Sequence, residues 1–202
     1  MAQEVDCDPI GGDYHFFDDA MLSVIKGRDV RMPYRIGDFV VDGGEVVGFS
    51  EGETGKCKLW ATLRGGKLAG DGRYYVGCDI ALGTGATPSV LIAFNAHTGE
   101  KVLEYVDAFI RPHDFGKLAV AVCRWLEGYD GETAKLNWEV NGAGKTFTLA
   151  VKELGYDLVY RRRDIETGRE QGDKLGWYTD DKTKVTLLME YRRALNEGDF
   201  VN

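Results

Sequence analysis

From residue 57 onward, the hydrophobic positions fall into runs whose period changes along the chain. In "RYYVGCDIAL" (73–82), "SVLIAFNAHTG" (89–99) and "KVLEYVDAFI" (101–110), β-branched and aromatic residues crowd into short stretches parted by glycine-bearing turns. Such runs predict strands, and Thr98-Gly99 predicts that the last two pair as a hairpin. "KCKLWATL", just before them, reads as an edge strand. After Pro112 the period lengthens. Leu118, Ala121, Val122, Trp125 and Leu126 share one helical face, with Asp114 as candidate N-cap and Gly128 as the stop. "KLNWEV" (135–140) returns to a short buried strand. A second helix places Phe147, Ala150, Val151 and Leu154 on one stripe and ends at Gly155. "LVYRR" (158–162) is a further strand, and a last helix from Asp180 or Asp181 aligns Leu188, Tyr191 and Leu195 before Gly198.

Three antiparallel strands followed by helix, strand, helix, strand and helix predict an α/β fold with one mixed sheet and helices on both faces. Among common folds, that order is the ribonuclease H-like one. Residues 1–55 read differently, being glycine-rich and acidic without a long periodic segment. "FFDDAMLSVIKG" predicts a short helix starting at Asp18 or Asp19, with Gly27 after it. "GDFVVDGGEVVGFS" predicts a hairpin, Phe39 to Val41 with Val46 to Phe49, turning through Asp42-Gly43-Gly44. The expected organisation is therefore a connecting segment over 1–55 that packs on the following domain or on a preceding one, and a main domain over 56–202.

Composition narrows the chemistry. The 202 residues suffice for one domain with an appendage. No apolar run is long enough to span a bilayer, and "MAQEVDCDPI" is not a signal peptide. Cys7, Cys57, Cys78 and Cys123 are scattered with no C-x-x-C pair, which argues against a zinc knuckle and fits reduced thiols. The formal charge of −8 is awkward for a nucleic-acid partner. Local patches matter more than the total: Arg161, Arg162 and Arg163 form one, and Lys182, Lys184, Arg192 and Arg193 another. His15, His97 and His113 are dispersed, which disfavours a histidine-metal nuclease.

Side chains alternate faces along a strand. Asn137 and Glu139 thus lie opposite Leu136, Trp138 and Val140, while Tyr75, Gly77 and Asp79 share a face. Asp79 and Glu139 both end their strands, so neighbouring strands bring two carboxylates together at one sheet edge. Such a pair suits Mg²⁺ or Mn²⁺, hard ions that prefer oxygen. It can hold two ions about 4 Å apart, one activating water and one stabilising the leaving oxygen. The alternative is that each acid caps a loop or pairs with a lysine. "EVNGAGKT" (139–146) looks like a phosphate-binding loop, but Glu139 stands where that motif requires its first glycine. No nucleotide cofactor is expected there.

"YYVGCDIALGTG", "LNWEVNGAG", "LVYRR" and "LGWYTDDKTKVTLLMEYRRAL" resemble, in that order, the nuclease domain of tailed-phage large terminase subunits. "MAQEVDCDPIGGDYHFFD" resembles the segment joining that family's ATPase domain to its nuclease. The resemblance implies a Mg²⁺- or Mn²⁺-dependent endodeoxyribonuclease that cuts concatemeric double-stranded DNA during genome packaging. Its implied partners are the terminase ATPase domain, the small terminase subunit and the capsid portal, in the host cytoplasm and away from membranes. Asp79 then matches the first metal-binding acid and Glu139 the second, each also catalytic, while Lys145 and Thr146 merely begin a helix. Arg161, Arg162, Arg163, Lys182 and Lys184 become candidate DNA contacts, against the plainer reading of a solvated edge and a decorated helix. Two departures stand out. "GATPSV" lacks an acid the family often carries, and the family's third metal-binding acid is expected beyond Asn202, because Asp180 and Asp181 read first as a helix cap. The alternatives are a non-catalytic module that grips DNA or the portal, and an actin-like ATPase fragment faintly echoed in "GCDIALGTGAT".

Overall fold

The computed structural model describes residues 16–17, 19–68, 72–128, 131–164 and 167–199. The amino-terminal residues "MAQEVDCDPIGGDYH", with the resemblance read from them, lie outside the described residues. In chain order, α1 (Asp19–Asp29) precedes the hairpin of β1 (Arg35–Asp42) and β2 (Glu45–Glu51), and β3 (Cys57–Leu59) follows. A two-strand hairpin, β4 (Leu63–Arg64) with β5 (Lys67–Leu68), leads into β6 (Tyr74–Asp79), β7 (Ser89–Asn95) and β8 (Lys101–Asp107). Then come α2 (Pro112–Trp125), β9 (Lys135–Trp138) and α3 (Gly144–Glu153). A second hairpin, β10 (Arg161–Arg163) with β11 (Glu170–Leu175), precedes α4 (Asp181–Glu197).

Seven strands form one mixed sheet in the order β2-β1-β3-β8-β7-β6-β9. β6, β7 and β8 are the three antiparallel strands read from the sequence, and β9 adds parallel to β6. This is the ribonuclease H-like arrangement. The far side departs from expectation. β3 is not an edge strand, because the β1–β2 hairpin pairs with it and continues the sheet. That hairpin turns through Gly43 and Gly44 at φ 57° and 84°, conformations that a side chain disfavours. The hairpin of the connecting segment thus extends the sheet of the residues that follow it.

The core lies under α2 and α3. Phe115 from α2 packs edge-on against Phe147 from α3 at 5.5 Å, and Phe147 meets Trp138 of β9 at the same 5.5 Å. Both helices cover the face carrying Val76, Leu91, Leu103 and Leu136, all buried. These two helices sit side by side on that face. On β6, burial alternates strictly, leaving Tyr75, Gly77 and Asp79 exposed on the other face.

Helix ends differ from the sequence reading in detail. α2 starts one turn earlier than a cap at Asp114 would allow, with Arg111 as N-cap and Pro112 at its first position, where a missing N–H costs nothing. α1 runs through Gly27 to Asp29. "LVYRR" makes only a short contact with the sheet, a parallel bridge from Val159 to Leu136, before it departs as β10. No helix of the described residues is long and apolar enough to cross a membrane.

Candidate functional site

The parallel register of β6 and β9 sets Val76 beside Leu136, Gly77 beside Asn137 and Cys78 beside Trp138. The Glu139 N–H donates to the Cys78 carbonyl at 3.2 Å, so the ladder continues and Asp79 and Glu139 come next on the two strands. Cys78 and Trp138 point into the core, which turns both acids to the open face. Neighbouring strands lie about 4.8 Å apart. The structure therefore brings the two predicted acids together.

The electrostatics agree with that closeness. Loss of solvent around the Asp79 carboxyl, then the charge of Glu139, raises its pKa above the ordinary value against one hydrogen bond from the Ile80 backbone. Neither acid has an ion-pair partner among the described residues. One pair further down, Asn137 Oδ1 is buried and finds no donor among the described residues. Beside it, nothing lies within 4 Å of where a Gly77 side chain would begin. Two crowded carboxylates and an orphaned amide oxygen make a hard-oxygen donor set, which fits a divalent cation of the Mg²⁺ or Mn²⁺ kind. Among the described residues no group of three or more His, Cys, Asp or Glu side chains gathers to hold a metal.

The chain after Glu139 is held by close packing. A side chain at Gly144 would begin 1.9 Å from the Glu139 carbonyl oxygen, so only glycine lets α3 start directly behind that strand. The N–H groups of Gly144 and Thr146 donate to the carbonyls of Asn141 and Ala143 at 2.9 and 3.1 Å. A phosphate-binding loop keeps such groups free for its ligand. Asn141 reaches across instead: its Nδ2 donates to the Thr179 carbonyl at 2.8 Å and its Oδ1 accepts from the Thr179 N–H at 3.0 Å. Trp177 strengthens this seam, its N–H donating to the Trp138 carbonyl at 2.7 Å and its own carbonyl accepting from Val140 at 2.8 Å.

The predicted basic residues sit on the β10–β11 hairpin and on α4. Arg162 lies over the Tyr178 ring at 5.0 Å, and Arg163 pairs with Glu170 at 3.8 Å. Arg162, Arg163 and Lys182 line a cavity of about 450 Å³ between the β10–β11 hairpin and the start of α4. Arg161 and Lys184 do not line it. Asp180 is occupied as the N-cap of α4, accepting from the Thr183 N–H at 2.8 Å while Thr183 Oγ1 accepts from the Asp180 N–H at 2.7 Å. Those bonds to Thr183 hold its pKa below the ordinary value. Asp181 falls in the first turn of the same helix. His113 pairs with Glu153 at 2.8 Å.

Sequence reasoning passed over Asn137, Lys152, Lys174 and Tyr178, and it took Lys145 only as the start of a helix. A second cavity, of about 530 Å³, opens between α3 and the β10–β11 hairpin and is walled by Lys145, Lys152, Arg162, Lys174 and Tyr178. The helical spacing of Lys145, Thr148 and Lys152 was the one available signal, and it shows a face without showing what faces it.

No family model matches the chain, and no curated protein matches it. Among solved structures, it is similar to the large terminase nuclease from thermophilic phage G20c with bound magnesium, at TM-score 0.51 and 12% identity over 83% of this chain and 68% of that one. The same nuclease with bound cobalt matches at TM-score 0.50 and 12% identity, with the same 83% and 68% coverage. At that identity the likeness establishes a shared fold.

Proposed function

We propose that this chain is a metal-dependent endonuclease domain of the terminase type, which cuts concatemeric double-stranded DNA into genome units. The observation that carries the reading is the juxtaposition of Asp79 and Glu139 on the open face of a ribonuclease H-like sheet. The fold it shares with a nuclease crystallised with magnesium supports the same reading. Asp79 and Glu139 would hold the metal, with Asn137 Oδ1 as a neutral oxygen beside them. The chemistry that a pair of Mg²⁺ or Mn²⁺ ions would supply there is activation of water and stabilisation of the leaving oxygen at phosphorus.

The chain's own residues prepare that chemistry. Glu139 is fixed from behind by Gly144, and the Asn141–Thr179 clamp holds the turn beyond it. Asp79 must be ionised to hold a cation, and its raised pKa means that acid disarms it sooner than an ordinary aspartate. Arg161, Arg162, Arg163, Lys182 and Lys184 would meet the DNA backbone. Packaging partners follow on this reading: an ATPase motor, a small terminase subunit and a portal, in the cytoplasm of an infected host.

The test is plasmid cleavage with Mn²⁺ or Mg²⁺, with and without chelator. Nicking and linearisation that need the ion and stop with chelator are expected. Cleavage indifferent to chelator would end the metal mechanism. DNA binding without cleavage at any metal concentration would establish the non-catalytic module instead.

A further inference from the structure

Part of the positive charge of this acidic chain is matched within it. Lys56, Lys58, Lys67, Lys101 and Arg124 each hold a carboxylate within 3.1 Å. The cavity between α3 and the β10–β11 hairpin gathers several cations of the other kind around one space. Lys145 and Lys152 stand two turns apart on one face of α3, with Thr148 between them, and Arg162 and Lys174 face them from the hairpin. None of the four has a carboxylate partner within ion-pairing distance among the described residues, and Asp173 is the one acid in the cavity wall. Arg162 Nε is moreover buried with no acceptor among the described residues. Four unmatched cations and a desolvated donor around one space, in a chain of net charge −8, call for an anion.

Shape and position narrow which anion. Val140, Asn141 and Gly142 form part of the wall, so the cavity begins directly after Glu139. Its volume of about 530 Å³ is that of a small-ligand pocket and admits no duplex. Tyr178 supplies an aromatic face, backed by the Arg162 guanidinium at 5.0 Å. Lysines on both walls and a cation-backed ring match a phosphate and a base. We propose that this cavity receives one unpaired nucleotide of a DNA strand, with its phosphate held by Lys145, Lys152 and Lys174 and its base set against Tyr178. The inference rests on the nuclease reading for the identity of the polymer. It adds that the strand is opened, or already single, beside the acids, because a paired base cannot enter.

Binding measured in chelator separates this from catalysis. Fluorescence anisotropy with a short labelled oligothymidylate and a blunt hairpin duplex, at matched salt, is the readout. The single strand is expected to bind about fivefold tighter or more. Lys145→Ala with Lys152→Ala should weaken single-strand binding about tenfold and flatten its salt dependence by roughly 0.7 in log–log slope, the contribution of one phosphate. Tyr178→Ala should weaken the single strand about fivefold and leave the duplex unchanged, as loss of one stacking platform does. Lys174→Ala, on the opposite wall, should act like the α3 pair. All four side chains are exposed, and an unchanged unfolding transition confirms that each variant folds. Equal affinity for duplex and single strand, with every substitution weakening both alike, would overturn the pocket in favour of a plain basic surface. Metal-dependent cleavage with that result removes the pocket and keeps the nuclease. Selective single-strand binding without cleavage keeps the pocket and removes the nuclease.

Discussion

Asp79 and Asp107 each end a strand of the same sheet, and β6 and β8 run in the same direction, yet their carboxyl groups live in opposite surroundings. Asp107 is buried, which would raise its pKa. It accepts from Lys56 Nζ at 2.8 Å, the Phe109 N–H at 2.8 Å and the Tyr105 hydroxyl at 3.0 Å, and these donors together hold it below the ordinary value. Asp79 loses solvent around its carboxyl, has Glu139 for a neighbour and gains only one backbone donor, and its pKa is raised. The contrast extends to the regions around them. Beyond Asp107, Glu104 is held by Lys58 at 3.0 Å and Lys101 at 3.1 Å, and Arg35 pairs with Glu51. Beside Asp79, acids face acids and, past Glu139, cations face cations. A charge matched within the protein serves the fold. Like charges held together cost stability, and a ligand of opposite sign is what relieves them.

The comparison can be broken most strongly at Asp79. Asp79→Asn should reduce metal-dependent cleavage by about a hundredfold or more, since an amide cannot supply the charge that holds a cation. The same substitution should raise the melting temperature of the metal-free protein at neutral pH, because it removes the repulsion from Glu139. A lower melting temperature would mean that the two acids do not oppose each other.

Asp107→Ala should do the reverse. It strands the Lys56 ammonium, the Tyr105 hydroxyl and the Phe109 N–H, at a cost of about 2 kcal/mol in urea denaturation. Cleavage per folded molecule should stay as it was. Loss of activity beyond the loss of folded protein would place Asp107 in the site and erase the contrast.

The smallest effect is also the most discriminating, and it is the pH dependence of those two stability changes. Asp107 has a lowered folded-state pKa, so its contribution is present above the unfolded value of about 3.9 and is lost as pH falls through its folded value. Asp79 has a raised folded-state pKa, so its ionised form costs stability above that value and the cost disappears as pH falls through it. On acidification the Asp79→Asn gain should vanish first, at a pH above 3.9, and the Asp107→Ala loss afterwards, below it. Metal-free denaturation across the acid range measures both. Disappearance in the opposite order would refute the assignment.

Much of this was written in local pattern. Alternation along "RYYVGCD" and "KLNWEV" was enough to turn Asp79 and Glu139 away from the core, because side-chain direction in a strand repeats every two residues whatever the strand pairs with. The helices over 112–125 and 144–153 were legible for the same reason, since a buried stripe at helical spacing needs no knowledge of what buries it. Asp180 as a cap was legible because its hydrogen bonds reach only three residues along the chain. Hairpin pairing was legible from the turns, but pairing between distant segments was not. That β9 lies beside β6, that the β1–β2 hairpin carries the sheet past β3, and that Trp177 closes the seam on Trp138 are contacts between distant segments. The basic cavity is of that second kind. Lys145 read only as the start of a helix, Lys152 carried no signal of its own, and Lys174 sits in a strand with no hydrophobic alternation to announce it. Composition and periodicity determined the fold class and the facing of the acids, since both are properties of neighbouring residues. The tertiary structure alone decided which charges met a partner and which were left for a ligand, because matching a charge depends on distances between segments that sequence does not encode locally.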